Sequence, residues 1–222
     1  MTTNTPEKPE TSTAPPSPKS SVDWMFNRQG ATIASFMLLT LAGSLLAPIL
    51  NPWMSYDRAA LGNFELWRFL SGNFAHLGLN HALLNLGTMS LAVVLFRGYK
   101  SLAWWLAVFI GCCLSVSTGL YVFEPNVSNY VGLSGALYGV LGCGLIMICH
   151  RESYNRWLYG IFYIYIVYKV VSQQFDSFDP GYLSQYIDGN VIAGSHLYGL
   201  CFGTAAALFD WFRSRSKQKS TE

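Results

Sequence analysis

The sequence predicts an all-α polytopic membrane protein, built as a bundle of six transmembrane helices. Three observations lead to this fold class. Hydrophobic residues make up 51% of the 222 residues, whereas charged residues make up only 12%. The mean hydropathy is +0.28, which is high for a soluble domain. Successive apolar runs, long enough for membrane helices, occupy most of the chain after its polar start.

The chain divides into three predicted segments. Residues 1–28 are rich in proline, serine and threonine and cannot bury enough apolar surface to offset ordering, so we expect a disordered cytoplasmic tail. This segment is too long and too polar for the first part of a secretory signal. Residues 29–213 form the predicted six-helix membrane domain, and residues 214–222 form a basic cytoplasmic tail.

Each predicted span is an apolar run, and most of the connecting loops are short. The spans are residues 31–50, 80–96, 102–123, 134–149, 157–171 and 191–212. The exception among the loops is residues 51–79, which lie on the predicted outer side.

Lysine and arginine predict the orientation, because basic residues accumulate in cytoplasmic loops. With the N-terminus inside, eleven of the 14 basic residues lie in cytoplasmic segments. The other three, Arg58, Arg68 and Lys169, lie on or near the outer side. Six spans with both termini in the cytoplasm are therefore predicted.

Composition also excludes some functions. The formal net charge is +2, which leaves no broad basic surface for nucleic acid phosphates, so no nucleic acid partner is expected. The cysteines all lie in apolar stretches without a CxxC pair, which is typical of small buried hydrophobic residues. They are Cys112, Cys113, Cys143, Cys149 and Cys201.

Polar residues inside a membrane span are costly, so each one is a functional candidate. His81 and Asn85 are four residues apart and therefore share one face of the second span. His76 precedes them in the outer loop. The alternative is that these side chains only bridge neighbouring helices, as polar groups in membranes often do.

Ser134 is a candidate nucleophile at the start of the fourth span, between Gly132 and Gly135. Gly-x-Ser-Gly is a weak motif by itself, and the GxSxG of soluble hydrolases is not matched. The distance from Ser134 to His150 is about 24 Å of helix, shorter than the roughly 30 Å hydrocarbon layer. Ser134 is therefore expected below the outer membrane surface, in a hydrated pocket.

His196 in the sixth span is the candidate base. It shares one helix stripe with Gly199 and Gly203, and Gly135 begins a similar glycine stripe on the fourth span. Small residues let helices approach closely, so packing of the two stripes would bring His196 to Ser134. Alternatively, the glycines only pack and the histidine only bonds a neighbouring hydroxyl.

Four motifs, found in the expected order and spans, resemble those of the rhomboid intramembrane serine proteases. They are Glu65-Leu-Trp67-Arg68, His76 with His81-x-x-x-Asn85, Gly132-x-Ser134-Gly135, and His196-x-x-Gly199-x-x-x-Gly203. The resemblance covers about residues 31–212. It implies a rhomboid-like bundle that acts as a serine endopeptidase on membrane-anchored protein substrates in the lipid bilayer, without a metal or another cofactor.

The resemblance also implies roles for individual residues. Ser134 is expected to be the nucleophile and His196 the base, in a dyad without an acidic third member. His81 and Asn85 are expected to bind the oxyanion together with the Ser134 amide. Tyr138 matches a tyrosine that stacks on the catalytic imidazole in many rhomboids. A further group is expected to have supporting roles: Trp67, Arg68, His76, Gly132, Gly135, Gly199 and Gly203.

Two runs resemble the rhombosortase subgroup in particular, namely His76-Leu-Gly-Leu-Asn-His81 and Tyr130 to Gly139. That subgroup commonly has histidine at the position of Tyr138. The resemblance implies sorting of surface or secreted proteins that end in a Gly-Gly-containing segment, a membrane helix and a basic tail.

Two other hypotheses remain open at this stage. One is a proteolytically inactive rhomboid-like protein that binds or escorts membrane proteins. The other is a metal or haem protein that uses His76, His81 and His196. The spacing of His76 and His81 is five residues rather than the four of a helical ligand pair, and the sequence contains no HExxH.

Overall fold

The computed structural model describes residues 28–152, 154–175 and 189–219. The predicted disordered tail before residue 28 and the end of the predicted basic tail, residues 220–222, lie outside the described residues. Met1–Ser35 and Phe36–Glu222 are separate compact units. The described part of the first unit is the start of the first helix.

The described residues are mostly helical. In chain order, their elements are α1 (Arg28–Leu45), α2 (Ala47–Met54), β1 (Tyr56–Asp57), α3 (Arg58–Gly62), α4 (Arg68–Ser71), α5 (Leu79–Phe96), α6 (Leu102–Phe123), β2 (Asn129–Tyr130), α7 (Ser134–Arg151), α8 (Arg156–Ser172) and α9 (Ala193–Lys219). The last helix continues to Lys219, past residue 213, where the sequence analysis ends the membrane domain.

Within the described residues, three helices are long and apolar enough to cross a membrane: α5, α6 and α7. A fourth span is added if α1 and α2 count as one bent span. The fifth and sixth predicted spans correspond to α8, which has 17 residues, and to α9, which carries Asp210 and Arg213 in its second half. The described helices thus provide three or four membrane spans by length and composition.

The first predicted span is not one continuous helix. The helix axis bends by 100° between Ile33–Gly43 and Ala47–Met54. Pro48 lies in the first turn of α2. Its missing N–H costs no hydrogen bond there, because N–H groups in the first turn have no partner within the helix. Inside a continuous helix, the proline ring would clash with the carbonyl group of the preceding turn. The break between Leu45 and Ala47 avoids this clash.

The central helix is α7, which packs against α5, α6, α8 and α9. In the apolar stretch of α7, 61% of the residues are buried inside the protein, compared with 44% for α6 and 33% for α5. The glycines of α7 allow this burial because they let neighbouring helices come close on several sides. The first turn of α7 therefore lies among neighbouring helices.

A two-stranded antiparallel ribbon connects the segment between α2 and α3 to the segment that leads into α7. Tyr56 of β1 pairs with Tyr130 of β2. The guanidinium group of Arg58 donates hydrogen bonds to the carbonyl groups of Leu120, Glu124 and Val127, at the end of α6 and just beyond it. These contacts hold the end of α6 and the segment before α7 against residues 56–58.

Candidate active site

Ser134 is the first residue of α7, and the backbone before it has an unusual conformation. Gly132 has a φ of +128°, which L side chains rarely adopt. A Cβ atom at Gly132 would lie 2.7 Å from Cε1 of His81, so a side chain there also lacks space. The hydroxyl of Tyr130 donates to the Gly132 carbonyl at 2.6 Å, and burial raises the pKa of this phenol, which keeps it a donor.

The side chains of Ser134 and His196 meet across two helices. Oγ of Ser134 lies 3.0 Å from Nε2 of His196, which is hydrogen-bond distance. His196 is in the first turn of α9 and only 4% exposed. The two residues are 62 positions apart in the chain, so tertiary packing alone produces this contact.

Glycines allow α7 and α9 to approach closely enough for that contact. A Cβ atom at Gly199 would overlap the carbonyl oxygen of Gly135. A Cβ atom at Gly203 would overlap the carbonyl oxygen of Gly139 in the same way. The glycine stripes of the two helices therefore face each other at backbone contact.

The other ring nitrogen of His196 also has a partner. Nδ1 lies 2.8 Å from the amide oxygen of Gln173, which directly follows α8. The sequence analysis did not single out Gln173, because a glutamine at the end of an apolar run carries no motif. Its position just after the fifth predicted span is the only signal in the sequence.

Tyr138 lies one turn after Ser134 and packs against the imidazole of His196. The two ring centroids are 4.4 Å apart, and the planes are tilted by 36°. The ammonium group of Lys169 is 5.7 Å from the Tyr138 ring centroid, within cation–π range. Tyr138 thus contacts both the imidazole and the ammonium group.

A cavity of about 570 Å³ opens beside the Ser134–His196 pair. His81 and Asn85 of α5 line it, together with Tyr138 and Lys169. The imidazole Nδ1 of His81 and the amide nitrogen of Asn85 are buried and make no hydrogen bond within the described part of the chain. A buried N–H group without a partner is costly, so these atoms are candidate binding groups for an added acceptor.

His76 does not line this cavity but packs behind it. Its ring contacts that of His81 edge-on, with centroids 5.1 Å apart. Burial lowers the pKa of His76 to about 4, so the ring is neutral near pH 7. Nδ1 is 3.0 Å from the carbonyl oxygen of Phe74 and must therefore carry the ring proton. The contact with His76 restricts the orientation of the His81 ring.

Trp67 and Arg68 lie between α3 and α5, away from the cavity lining. The indole of Trp67 donates to the carbonyl of Trp53 at 3.0 Å. The buried guanidinium of Arg68 pairs with Glu65 at 2.7 Å and donates to the carbonyl groups of Ser55 and Pro52. Both side chains hold the loop together through these hydrogen bonds.

No cluster of three histidine, cysteine, aspartate or glutamate side chains that could hold a metal ion occurs among the described residues. His76 and His81 are neighbours, but His196 bonds Ser134 and Gln173 instead of joining them. Among the three histidines, only His196 is hydrogen-bonded to Ser134, while His76 and His81 contact each other through their rings.

Apolar helices of membrane length and a partly buried serine–histidine pair beside a cavity define an integral membrane protein with the side chains of a serine hydrolase site. The rhomboid domain family matches residues 63–213, which contain Ser134, His196, His81 and Asn85. The chain therefore belongs to the rhomboid family.

Relatives of this chain carry rhomboid protease names. The Bacillus subtilis protein YdcA, provisionally named a rhomboid protease, is 28% identical over 143 residues, which cover 64% of this chain and 66% of YdcA. The rhomboid protease GlpG of Salmonella paratyphi A is 22% identical over 203 residues, 84% of this chain and 63% of GlpG. The rhomboid protease GluP of Bacillus subtilis is 28% identical over 56% of this chain and 24% of GluP. The matches span two thirds or less of each relative.

Proposed function

We propose that this protein is an intramembrane serine endopeptidase with Ser134 as the nucleophile and His196 as the general base. One observation carries the proposal: the 3.0 Å contact between Oγ of Ser134 and Nε2 of His196, beside a cavity. Serine is a weak nucleophile unless a base removes its proton, and a neutral imidazole at this distance is such a base. The protease names of the relatives support the same activity.

The reaction follows from this geometry. Oγ of Ser134 attacks the scissile carbonyl carbon while its proton moves to Nε2 of His196. The imidazolium then gives that proton to the leaving amine as the C–N bond breaks, which leaves an acyl-enzyme. Water repeats the sequence on the ester, releases the new carboxyl terminus and restores the serine hydroxyl.

The negative charge on the tetrahedral intermediate needs hydrogen-bond donors. The backbone amide of Ser134 is in the first turn of α7, where the helix dipole also favours an anion. His81 and Asn85 line the same cavity, and the amide nitrogen of Asn85 is buried without a partner. We assign these three groups to the oxyanion site, with His76 supporting the His81 ring.

Asn85→Ala is expected to lower the turnover of a membrane peptide by about 10²- to 10³-fold, the usual loss for one oxyanion donor. Substrate affinity should change little, because the donor acts mainly on the charged intermediate. Ser90→Ala is the matched control: it lies on the same helix, and its hydroxyl bonds the Leu86 carbonyl at 2.7 Å. Equal turnover for Asn85→Ala and the unchanged protein would contradict the assignment of Asn85 to the oxyanion site.

A fluorophosphonate probe tests the proposed function directly. The purified protein in lipid is treated with the probe and digested, and the modified residue is located by mass spectrometry. An adduct on Ser134 is expected. Absence of labelling would contradict the protease and favour the inactive rhomboid-like protein that binds or escorts membrane proteins. An adduct on another serine would contradict the assignment of the nucleophile.

We also propose a bundle of six spans in the bacterial inner membrane, with both termini in the cytoplasm and the cavity open to the periplasm. The distribution of lysine and arginine supports this orientation. α8 and α9, which correspond to the fifth and sixth predicted spans, support the number of spans. A cavity that is open to the periplasm has access to the water that hydrolyses the acyl-enzyme.

For the substrates, we propose rhombosortase-like sorting of surface proteins with a Gly-Gly-containing C-terminal segment. The runs around His76 to His81 and Tyr130 to Gly139 support this subgroup, although Tyr138 departs from its usual histidine. Mass spectrometry of surface proteins in cells with and without this chain tests it. Shortened C-termini after Gly-Gly segments that depend on this chain would support the proposal, and identical C-termini would contradict it.

A further inference from the structure

Gln173 contacts the candidate base without lining the cavity. Its amide oxygen is 2.8 Å from Nδ1 of His196, on the side of the ring opposite Ser134. A neutral imidazole carries one proton, and the nitrogen that faces an amide oxygen must be the one that carries it. Nε2 is then left unprotonated and accepts the hydrogen bond from the Ser134 hydroxyl.

The backbone around Gln173 is held in place from two sides. Its own N–H donates to carbonyl groups in the last turn of α8. The next side chain, Gln174, donates from its amide nitrogen to the carbonyl groups of Val170 and Ala193 at 2.8 and 3.1 Å. Gln174 thus connects the end of α8 to the first residue of α9, three positions before His196.

We propose that Gln173 is a positioning residue, which holds His196 in the tautomer and orientation that accept the Ser134 proton. This inference rests on the proposed function. It adds Gln173 to the expected two-residue dyad as a third member. The Ser134 proton moves to Nε2 of His196, while the Nδ1 proton stays on His196 and is hydrogen-bonded to the Gln173 oxygen throughout.

The amide also stabilises the imidazolium that forms during attack, since its oxygen is the negative end of the amide dipole. A neutral acceptor does so less strongly than a carboxylate. The charged and titratable groups that face this imidazole from other positions are Lys169 on α8 and His81 on α5. Because these groups also affect the base, the test keeps them unchanged and varies only the acceptor atom.

The experiment measures phosphonylation of the full-length protein in lipid vesicles by a fluorophosphonate probe. In this reaction the bond from Ser134 Oγ to phosphorus forms, the bond to fluoride breaks, and the Oγ proton moves to His196. The maximal rate constant, kinact, reports activation of the serine, and KI reports binding of the probe. Gln173→Met removes the acceptor at nearly unchanged volume, whereas Gln173→Glu keeps an oxygen acceptor.

Gln173→Met is expected to lower kinact by about tenfold, the rate equivalent of one lost hydrogen bond, with KI unchanged. Gln173→Glu should match or exceed the unchanged protein. Ser172→Ala is the matched control: it directly precedes Gln173, but its hydroxyl donates to the Lys169 carbonyl of its own helix at 2.9 Å, so kinact should stay within about twofold.

Unchanged kinact in Gln173→Met would overturn the positioning role and leave the proposed function intact. A rate for Gln173→Glu as low as that of Gln173→Met would also overturn it, because the side chain would then act through packing alone. If thermal unfolding shows that the Met variant does not fold, the Glu variant decides against the unchanged protein: an equal or higher kinact supports the positioning role, and a kinact about tenfold lower overturns it. Absence of labelling in the unchanged protein would instead contradict the proposed function itself.

Discussion

Ser134→Ala is expected to abolish peptide cleavage, with a loss on the order of 10⁶-fold in turnover, as for nucleophile removal in soluble serine proteases. Without the hydroxyl, no acyl-enzyme forms, and His196 has no proton to accept from α7. The measurement is cleavage of a membrane-spanning peptide by the purified variant in lipid vesicles. The fold should remain intact, because the change removes one oxygen atom at the wall of a cavity.

Ser195→Ala is the matched control for the nucleophile. Ser195 lines the same cavity and directly precedes His196, but its hydroxyl donates to the carbonyl of Ile192 at 2.7 Å. Because that hydroxyl bonds its own helix turn, most of the activity should remain. If activity survived in Ser134→Ala and disappeared in Ser195→Ala, the assignment of Ser134 as the nucleophile would be wrong.

Gly199→Ala is expected to have the second-largest effect, on stability and activity together. The added methyl group would overlap the carbonyl oxygen of Gly135, and this is backbone against backbone, so no side chain can rotate away. The helices must separate, at a cost of about 3 kcal/mol, even though alanine is the better helix former. Separation also lengthens the 3.0 Å contact between Ser134 and His196, and a misplacement of about 1 Å costs roughly 10²-fold in rate.

Gly87→Ala is the comparison for this change. Gly87 lies within α5, and an added Cβ would meet no atom within 4 Å. Alanine should therefore stabilise the protein slightly through helix propensity, by about 0.5 to 1 kcal/mol. Thermal unfolding in detergent and the labelling rate are measured for both variants. Equal unfolding temperatures and rates for Gly199→Ala and the unchanged protein would contradict backbone contact between α7 and α9.

Much of the fold was predictable because apolar runs and their ends are local features. The predicted spans at 80–96, 102–123 and 134–149 coincide with α5, α6 and α7 to within one or two residues. The resemblance to rhomboids is confirmed by the match over residues 63–213. The break at Pro48 was missed, because the hydropathy of residues 31–50 hides a single proline whose effect is steric.

The candidate site was predictable as far as it rests on motifs. Ser134 and His196 both lie in glycine-containing motifs, and those motifs predict both residues from the sequence. Gln173 was not, because its contribution depends on where the end of α8 lies relative to α9. That position follows from helix packing and from the Gln174 hydrogen bonds, which no local pattern encodes.

The sequence alone determined that this is a helical membrane protein, and it identified the polar side chains that are costly to bury in a bilayer. Composition and hydropathy suffice for this, because the bilayer acts as a uniform solvent on each segment separately. Only the tertiary structure decided which of those side chains touch. Backbone contact between the glycines of α7 and α9 brings together a hydroxyl and an imidazole 62 residues apart, and the end of α8 adds the amide of Gln173.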